Sequence, residues 1–372
     1  MVKVGIVGCG DVAIKSYLPA LASDFTRWGK LTAVCDSSPE RAKSAMEKFG
    51  ASASYTDYKK FLRNADIDLV AILTPLLSHA EFAIPAIRAG KHVFTEKPMA
   101  QTAKLAISLV KEAHKKRVRL ASAPYCPAAP LVLEAARLVR DGAIGIPCLV
   151  RAHSSHGGPE EWPWHTDPSW VFRKSISGPV PPLFDMGVYG LSALMAVLGP
   201  VRHVSAFAVR GLAERRIAKV TQPGFKPYTL KVDSNDNSMT ILDFGKGRLG
   251  TMDASYTMRV GYGHSHEFFG TEGYLSFDIW TGALRVMSRQ GMAGLVANKW
   301  VEKKYDEPKG GNLAHSLGHM LECLDKGTEP MNGGEFGAHL VEVLESAIKS
   351  SISGKAVRLM TGFGGNRSQP RR

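Results

Sequence analysis

Short apolar, β-branched runs alternate with amphipathic stretches over the first third of the chain. Val2 to Val7 reads as a strand, Leu31 to Asp36 as strand two, and Pro39 to Phe49 as a helix with proline in its first turn. Asp68 to Thr74 reads as strand four, Ser78 to Ala89 as its helix with Gly90 as cap, and Lys91 to Thr95 as strand five. Ala100 to Lys116 reads as a helix and Val118 to Ala123 as strand six. Strands fully apolar in sequence, each followed by a helix, predict a doubly wound parallel sheet. Pro124, Pro127 and Pro130 then punctuate the chain, so a domain boundary is expected after residue 123.

Beyond that point the period changes. Leu131 to Arg140 reads as a helix, Cys148 to His153 as a strand, and Met186 to Leu198 as a helix after a long loop. Alternating runs follow at Val201 to Val209, Ser238 to Phe244, Arg248 to Tyr256, Ser265 to Phe269 and Gly273 to Phe277. They predict a large, mainly antiparallel open sheet, closed off by helices at Asn312 to Lys326 and Glu335 to Ser353. In the last helix Phe336, Leu340, Leu344 and Ile348 share one face, which marks it as a packing helix. The expected organisation is an α/β domain over residues 1–123, an α+β domain over 124–359 and a basic tail over 360–372.

Composition narrows the class. With 372 residues, 44% hydrophobic, the chain can bury two cores, and no run approaches a membrane span. The formal charge is +13, but the positive residues are spread. The denser clusters, Lys111 to Arg119 and Arg367 to Arg372, read as a solvated helix end and a loose tail after glycines. No nucleic-acid partner is expected; attraction to anionic substrates is the milder consequence. The five cysteines, Cys9, Cys35, Cys126, Cys148 and Cys323, form no CxxC pair, which favours reduced thiols over disulfides or a zinc site. Strand one begins at once and leaves no room for a signal peptide, so a cytoplasmic protein is expected.

The chemistry-bearing motifs sit at strand ends. Gly8-Cys9-Gly10-Asp11-Val12-Ala13 gives the order strand, tight turn, helix start, in which backbone N–H groups approach a pyrophosphate. Cys9 is small enough for that turn and reads as structural. Asp36 ends strand two, where an acid accepts a ribose 2′-hydroxyl; capping of the next helix is the alternative. The acid would repel a 2′-phosphate, so NAD is favoured, while Ser37 and Arg41 keep NADP open. Glu96-Lys97-Pro98 closes strand five at the carboxyl edge, where open α/β sheets hold their ligands.

Taken with Thr74-Pro75 and His79, with Gly90-Lys91-His92-Val93, and with Asp185-Met186-Gly187-Val188-Tyr189, these motifs resemble the glucose–fructose oxidoreductase and inositol 2-dehydrogenase family, Gfo/Idh/MocA. The resemblance runs from Met1 to about Leu359. It implies a Rossmann domain followed by a substrate and assembly domain, and an NAD(P)-dependent oxidoreductase acting on a sugar, cyclic polyol or related compound. Thr74 and Pro75 would pass beside the nicotinamide ribose, and Leu76 stands where many members carry asparagine. His79 matches a family histidine read as structural or as a distant cofactor contact. Most members carry histidine in place of Tyr189; the tyrosine form looks like the glucose–fructose oxidoreductases and dimeric dihydrodiol dehydrogenases.

On that reading Lys97 orients the hydroxyl and Tyr189, a phenol with an ordinary pKa of about 10, transfers the proton, with Lys97 favouring the phenolate. Asp185, one turn earlier, faces the same side. From spacing alone Tyr189 also fits an ordinary aromatic of an amphipathic helix. Ser192 replaces an acid common in the family, and Ser177 to Pro182 replaces its glycine-rich run.

The loop from His153 to Arg173 holds His153, His156, Trp162, Trp164, His165 and Trp170, which suggests a pocket wall for sugar C–H surfaces, with Trp162, Trp164 and His165 as substrate candidates. The histidine spacing fits no HxxxH pair and hydride transfer needs no metal, so no metal site is expected. Apolar residues on both alternations, Val204, Ala206 and Ala208 with Met239, Ile241 and Asp243, point to a homodimer or homotetramer through the second sheet. Two other functions fit the same motifs: a glycosidase using NAD in a transient oxidation, and a non-catalytic nicotinamide-binding regulator.

Overall fold

The computed structural model describes residues 1–161, 168–218, 220, 224–260, 265–306 and 313–364. The chain divides into two compact units, Met1–Ala128 with Pro308–Val341 and Ala129–Glu307 with Glu342–Arg372.

In the first unit Val2–Val7 (β1), Gly29–Cys35 (β2), Ala53–Tyr55 (β3), Leu69–Ile72 (β4), His92–Thr95 (β5) and Leu120–Ser122 (β6) form one parallel sheet in the order β3-β2-β1-β4-β5-β6. That is the doubly wound order whose strand reversal lies between β1 and β4. The crossovers are Leu18–Ala22 (α1), Pro39–Phe49 (α2), Tyr58–Asn64 (α3), His79–Arg88 (α4) and Ala103–Lys116 (α5). Local chemistry sets their ends: Ser38 Oγ accepts from Arg41 N at the start of α2, and Gly50 closes it in the left-handed region. Gly5 is required for packing, since a Cβ there would lie 2.5 Å from Phe61 Cζ.

The second unit contains Pro130–Arg140 (α6), Pro147–His153 (β7), Lys174–Ser177 (α7), Val188–Leu198 (α8), His203–Val209 (β8), Glu214–Ile217 (β9), Tyr228–Lys231 (β10), Asn237–Gly245 (β11), Arg248–Ser255 (β12), Ser265–Gly270 (β13), Gly273–Asp278 (β14), Ala283–Ser288 (β15), Trp300–Lys304 (β16) and Val357–Arg358 (β17). Nine of its strands form a sheet in the order β16-β15-β14-β13-β7-β12-β11-β8-β17, and β9 pairs with β10 in a separate hairpin. Only the β7–β12 pair in this sheet is parallel. The nearly all-apolar α8 is buried along its length.

His315–Lys326 (α9) and Gly334–Ser353 (α10) complete the α-helices among the described residues. The sequence reading put α9 in the second domain; the structure places it in the first unit. Leu317, Met320 and Leu321 join the core built by Val4, Ile6 and Phe94, and Ala121 bridges Gly333 at the edge of the sheet. Phe336, Leu340 and Leu344 of α10 are buried as expected.

One further expectation needs correcting. Val204 and Ala206 point inward, 1% and 5% exposed, whereas Phe207, Met239 and Ile241 stay 73%, 57% and 47% exposed. The β8–β11 register explains this, because Met239 pairs with Phe207 and Thr240 with Ala206. The open face is therefore one alternation, not both. Met360 and Thr361, the first residues of the expected basic tail, are held by Glu342, whose carboxylate accepts both backbone N–H groups at 2.8 Å.

Candidate functional site

The glycine turn follows β1. Gly8 has φ +93°, and a Cβ on it would lie 2.9 Å from the Leu73 backbone, so only glycine fits. A Cβ on Gly10 would meet nothing within 4 Å, which leaves the outer side of the turn open. Cys9 between them is buried, and burial followed by the Asp36 charge pushes its thiol up to about 12, consistent with a packing role. Asp11 pairs with Lys15 at 3.1 Å, and Val12 leads into a π-helical turn, Ala13–Tyr17. That turn delivers the Tyr17 hydroxyl to Glu96 Oε1 at 2.6 Å.

Asp36 is a buried carboxylate with four N–H donors. Oδ2 accepts from Cys9 N at 2.8 Å; Oδ1 accepts from Ser38 N at 2.8 Å and from Arg41 Nε and Nη2 at 3.0 and 2.8 Å. Burial opposes its charge, but the Arg41 hydrogen bond and the Ser38 and Cys9 N–H groups outweigh it and hold its pKa low. Ser38, not Asp36, caps α2. Asp36 therefore ties the glycine turn to the start of α2, with exposed Ser37 and half-exposed Arg41 beside it.

At the ends of β4 and β5 the partners are equally specific. Thr74 Oγ1 accepts from Ser78 Oγ at 2.8 Å, and Pro75 and Leu76 turn the chain into α4. The buried His79 ring reaches Pro98 O through Nδ1 at 2.9 Å and Thr74 O through Nε2 at 2.8 Å. Burial, the largest influence, disfavours the imidazolium while the two carbonyls favour it; the net direction is downward. His79 thus pins the Thr74 loop to the Glu96–Pro98 turn, and both its ring nitrogens are engaged by protein carbonyls. Glu96 is also occupied, by Tyr17 and by Lys97 N at 2.8 Å.

In the second unit a π-helical turn, Leu183–Gly187, precedes α8. Its cause is visible in the hydrogen bonds. Ser154 Oγ donates to Met186 O at 2.7 Å and accepts from Gly190 N at 3.1 Å, so a hydroxyl stands between the two groups an ordinary α-helix would join directly. Gly190 is needed there, since a Cβ would lie 2.8 Å from that hydroxyl. The widened turn carries Asp185, half-buried, whose Oδ2 accepts from Tyr256 Oη at 2.7 Å. Tyr189 is buried, with its ring edge-on to Trp280 at 5.5 Å. Ser192, at the position of the family's acid, is fully buried.

The two described histidines of the aromatic loop, His153 and His156, separate. His153 bonds Asp253, whose hydrogen bond, acting against burial, raises the His153 pKa. The pair lines an open groove of about 640 Å³ on the sheet face, together with Phe207, Met239, Met258 and Val260. His156 packs on Tyr256 at 5.0 Å between ring centroids and its Nδ1 accepts from Gly158 N. Trp162, Trp164 and His165 lie outside the described residues. Among the described residues no group of three or more His, Cys, Asp or Glu side chains could hold a metal ion, and no helix is long and apolar enough to cross a membrane.

Sequence reasoning missed Tyr17, Ser154, Arg215 and Tyr256. None belongs to a local motif; each meets its partners across tens of residues, as Tyr256 and Asp185 do across 71.

Residues 2–123 match the family described as "Oxidoreductase family, NAD-binding Rossmann fold", and residues 132–276 match the "GFO/IDH/MocA C-terminal domain". A levoglucosan dehydrogenase from Pseudarthrobacter phenanthrenivorans is 28% identical over 295 residues, 74% of this chain and 73% of that protein. An inositol 2-dehydrogenase/D-chiro-inositol 3-dehydrogenase from Lactiplantibacillus plantarum is 30% identical over 163 residues, 43% of this chain and 46% of that one. Among solved structures, levoglucosan dehydrogenase in complex with NADH and L-sorbose shares the fold with a TM-score of 0.82 at 22% identity, over 97% of this chain and 99% of that chain. The glycine turn, the strand order and the matches over both halves agree: the chain belongs to the Gfo/Idh/MocA family of NAD-binding oxidoreductases.

Proposed function

We propose that the protein is an NAD-dependent dehydrogenase that moves a hydride between the nicotinamide and a secondary hydroxyl or carbonyl of a sugar, cyclic polyol or related compound. The observation that carries this reading is Asp185, held by a buried phenol one helical turn before Tyr189. A lone packing aromatic would need no such anchored carboxylate beside it. The names of the relatives, levoglucosan and inositol dehydrogenases, support the substrate class.

The first unit fits the cofactor, because the turn leaves open space at Gly10 and packs Gly8 on the Leu73 backbone. Gly8, Cys9, Gly10, Asp11 and Val12 would hold the pyrophosphate, and Asp36 the ribose, with Ser37 and Arg41 beside it. Thr74, Pro75 and Lys97 would border the nicotinamide ribose, on loops that His79 and Glu96 fix. Bound there, the nicotinamide supplies the hydride acceptor in oxidation and the donor in reduction. Lys97 orients the substrate hydroxyl. Tyr189 Oη, as the phenolate, would take the hydroxyl proton as the hydride leaves the same carbon, so the alcohol becomes a carbonyl. Asp185 accepts a hydrogen bond from a neighbouring substrate hydroxyl and fixes its orientation.

The open sheet face with Phe207, Val209, Met239 and Ile241 supports assembly into a dimer or tetramer. Five cysteines outside any disulfide, four of them buried, support a reducing, cytoplasmic location.

The test is a panel of sugars and polyols mixed with NAD or NADP and followed by absorbance of the reduced cofactor. Steady NADH production on one of them is the expected result. Release of a leaving group with no net NADH would establish the transient-oxidation glycosidase instead, and tight NAD binding with no turnover a regulator.

A further inference from the structure

Tyr256 lies just past the end of β12 and is fully buried, yet its hydroxyl reaches the only partly buried carboxylate of Asp185 at 2.7 Å. We propose that Tyr256 is a positioning residue for the reaction, fixing the Asp185 carboxylate through its phenol, and that a buried ion cluster centred on Arg215 fixes Tyr256 in turn. The inference rests on the reading of Asp185 given above.

Tyr256 is held at every point. Its N–H donates to Asp236 O at 2.8 Å and its carbonyl accepts from Arg215 Nη2 at 2.9 Å. The ring packs against His156 at 5.0 Å and edge-on to Phe172 at 6.0 Å. Arg215 is itself buried between two carboxylates, bonding Asp236 Oδ2 at 2.9 Å through Nη2 and Glu160 through Nη1, and its guanidinium lies 4.9 Å from the Phe172 ring centre. Asp236 continues the network to Gly211 N at 2.6 Å and Leu212 N at 3.1 Å.

Apolar side chains often fill such a space more favourably than a buried ion cluster does. Here the cluster places one backbone carbonyl, and with it the direction of one phenol. Burial first, then the charge of Asp185, raises the Tyr256 pKa far above the ordinary phenol value. The group therefore stays a neutral donor over any working pH, with Asp185, Arg215, Glu160 and His156 as the titratable side chains around it. Phenylalanine would pack the same space equally well. The hydroxyl is needed only for what it does to Asp185.

Tyr256→Phe separates the two roles, because it keeps the ring. Without the donor the carboxylate is freer to rotate and its charged form loses a stabilising bond. We expect kcat/KM on the best substrate from the panel to fall about ten- to a hundredfold, the range for a hydrogen bond to a charged group. The acid limb of its pH profile should move to higher pH, while the NADH dissociation constant stays within about twofold and the thermal midpoint is nearly kept. In an Asp185→Asn background the same change should add little, since Tyr256 acts through that carboxylate. If Asp185→Asn is inactive but Tyr256→Phe keeps a normal kcat/KM and an unmoved acid limb, the positioning role is overturned. A purely structural role would instead lower the thermal midpoint and leave kcat/KM and the pH profile of the folded fraction unchanged, and that too overturns it. Full activity in Asp185→Asn would sink the reading of the site itself, not only the part given to Tyr256.

Discussion

Gly190→Ala tests whether the Ser154 hydroxyl really interrupts the helix that carries Asp185 and Tyr189. A Cβ on Gly190 would lie 2.8 Å from Ser154 Oγ and 3.1 Å from Ser154 Cβ, with the next neighbour, Met252 Sδ, at an ordinary 3.5 Å. The methyl must displace Ser154 and break its bonds to Met186 O and Gly190 N. Overpacking of this kind costs about 1–3 kcal/mol, and the two hydrogen bonds about 1 kcal/mol each. Against that, alanine gains about 1 kcal/mol over glycine inside a helix. The net loss is about 2–4 kcal/mol. In a Ser154→Gly background the clashing atoms are gone, and Met186 O can accept from residue 190 directly. There Gly190→Ala should be neutral or stabilise by up to about 1 kcal/mol, a coupling of about 2–5 kcal/mol. Urea midpoints of the four proteins, followed by circular dichroism, measure it. Equal destabilisation in both backgrounds would show that the hydroxyl is not a wedge.

The proposed catalytic roles are tested by Lys97→Ala and Tyr189→Phe, each expected to cut turnover about a hundredfold to ten-thousandfold, with the double mutant losing much less than the product. NADH affinity should hold in Tyr189→Phe; near-normal turnover there would move the base elsewhere. Asp36→Ala should erase the preference for NAD by freeing Arg41 to meet a 2′-phosphate, and titration of both cofactors reads it; a wild-type protein binding NADP tenfold more tightly would contradict the assignment. Ile241→Glu on the open sheet face should shift light scattering from a dimer or tetramer toward the 40.3 kDa chain; a wild-type protein found only at that mass at micromolar concentration would end the assembly reading.

What the sequence made legible follows the range of the interactions. Strands β1, β4 and β5 are buried on both faces, so they stand out as apolar runs, and α2 announces itself through Ser38, Pro39 and Gly50. Strand β9, Glu-Arg-Arg-Ile, does not, because the buried Arg215 fills one of its two inward positions, and β16, Trp-Val-Glu-Lys-Lys, does not, because a sheet edge leaves its polar side chains in water. The same division runs through the candidate residues. Gly8, Asp36, Lys97, Asp185 and Tyr189 sit in short motifs and could be named. Ser154 and Tyr256 could not, because β7 and β12 pair in parallel and bring residues about a hundred positions apart side by side. That pairing sets Ser154 N on Asp253 O at 3.1 Å, two residues after which the chain reaches Ser255 and then Tyr256. A wedge in the helix and a donor to its aspartate thus descend from one strand pair. A change in β7–β12 register would move both, and with them the geometry of a motif whose own letters had not altered.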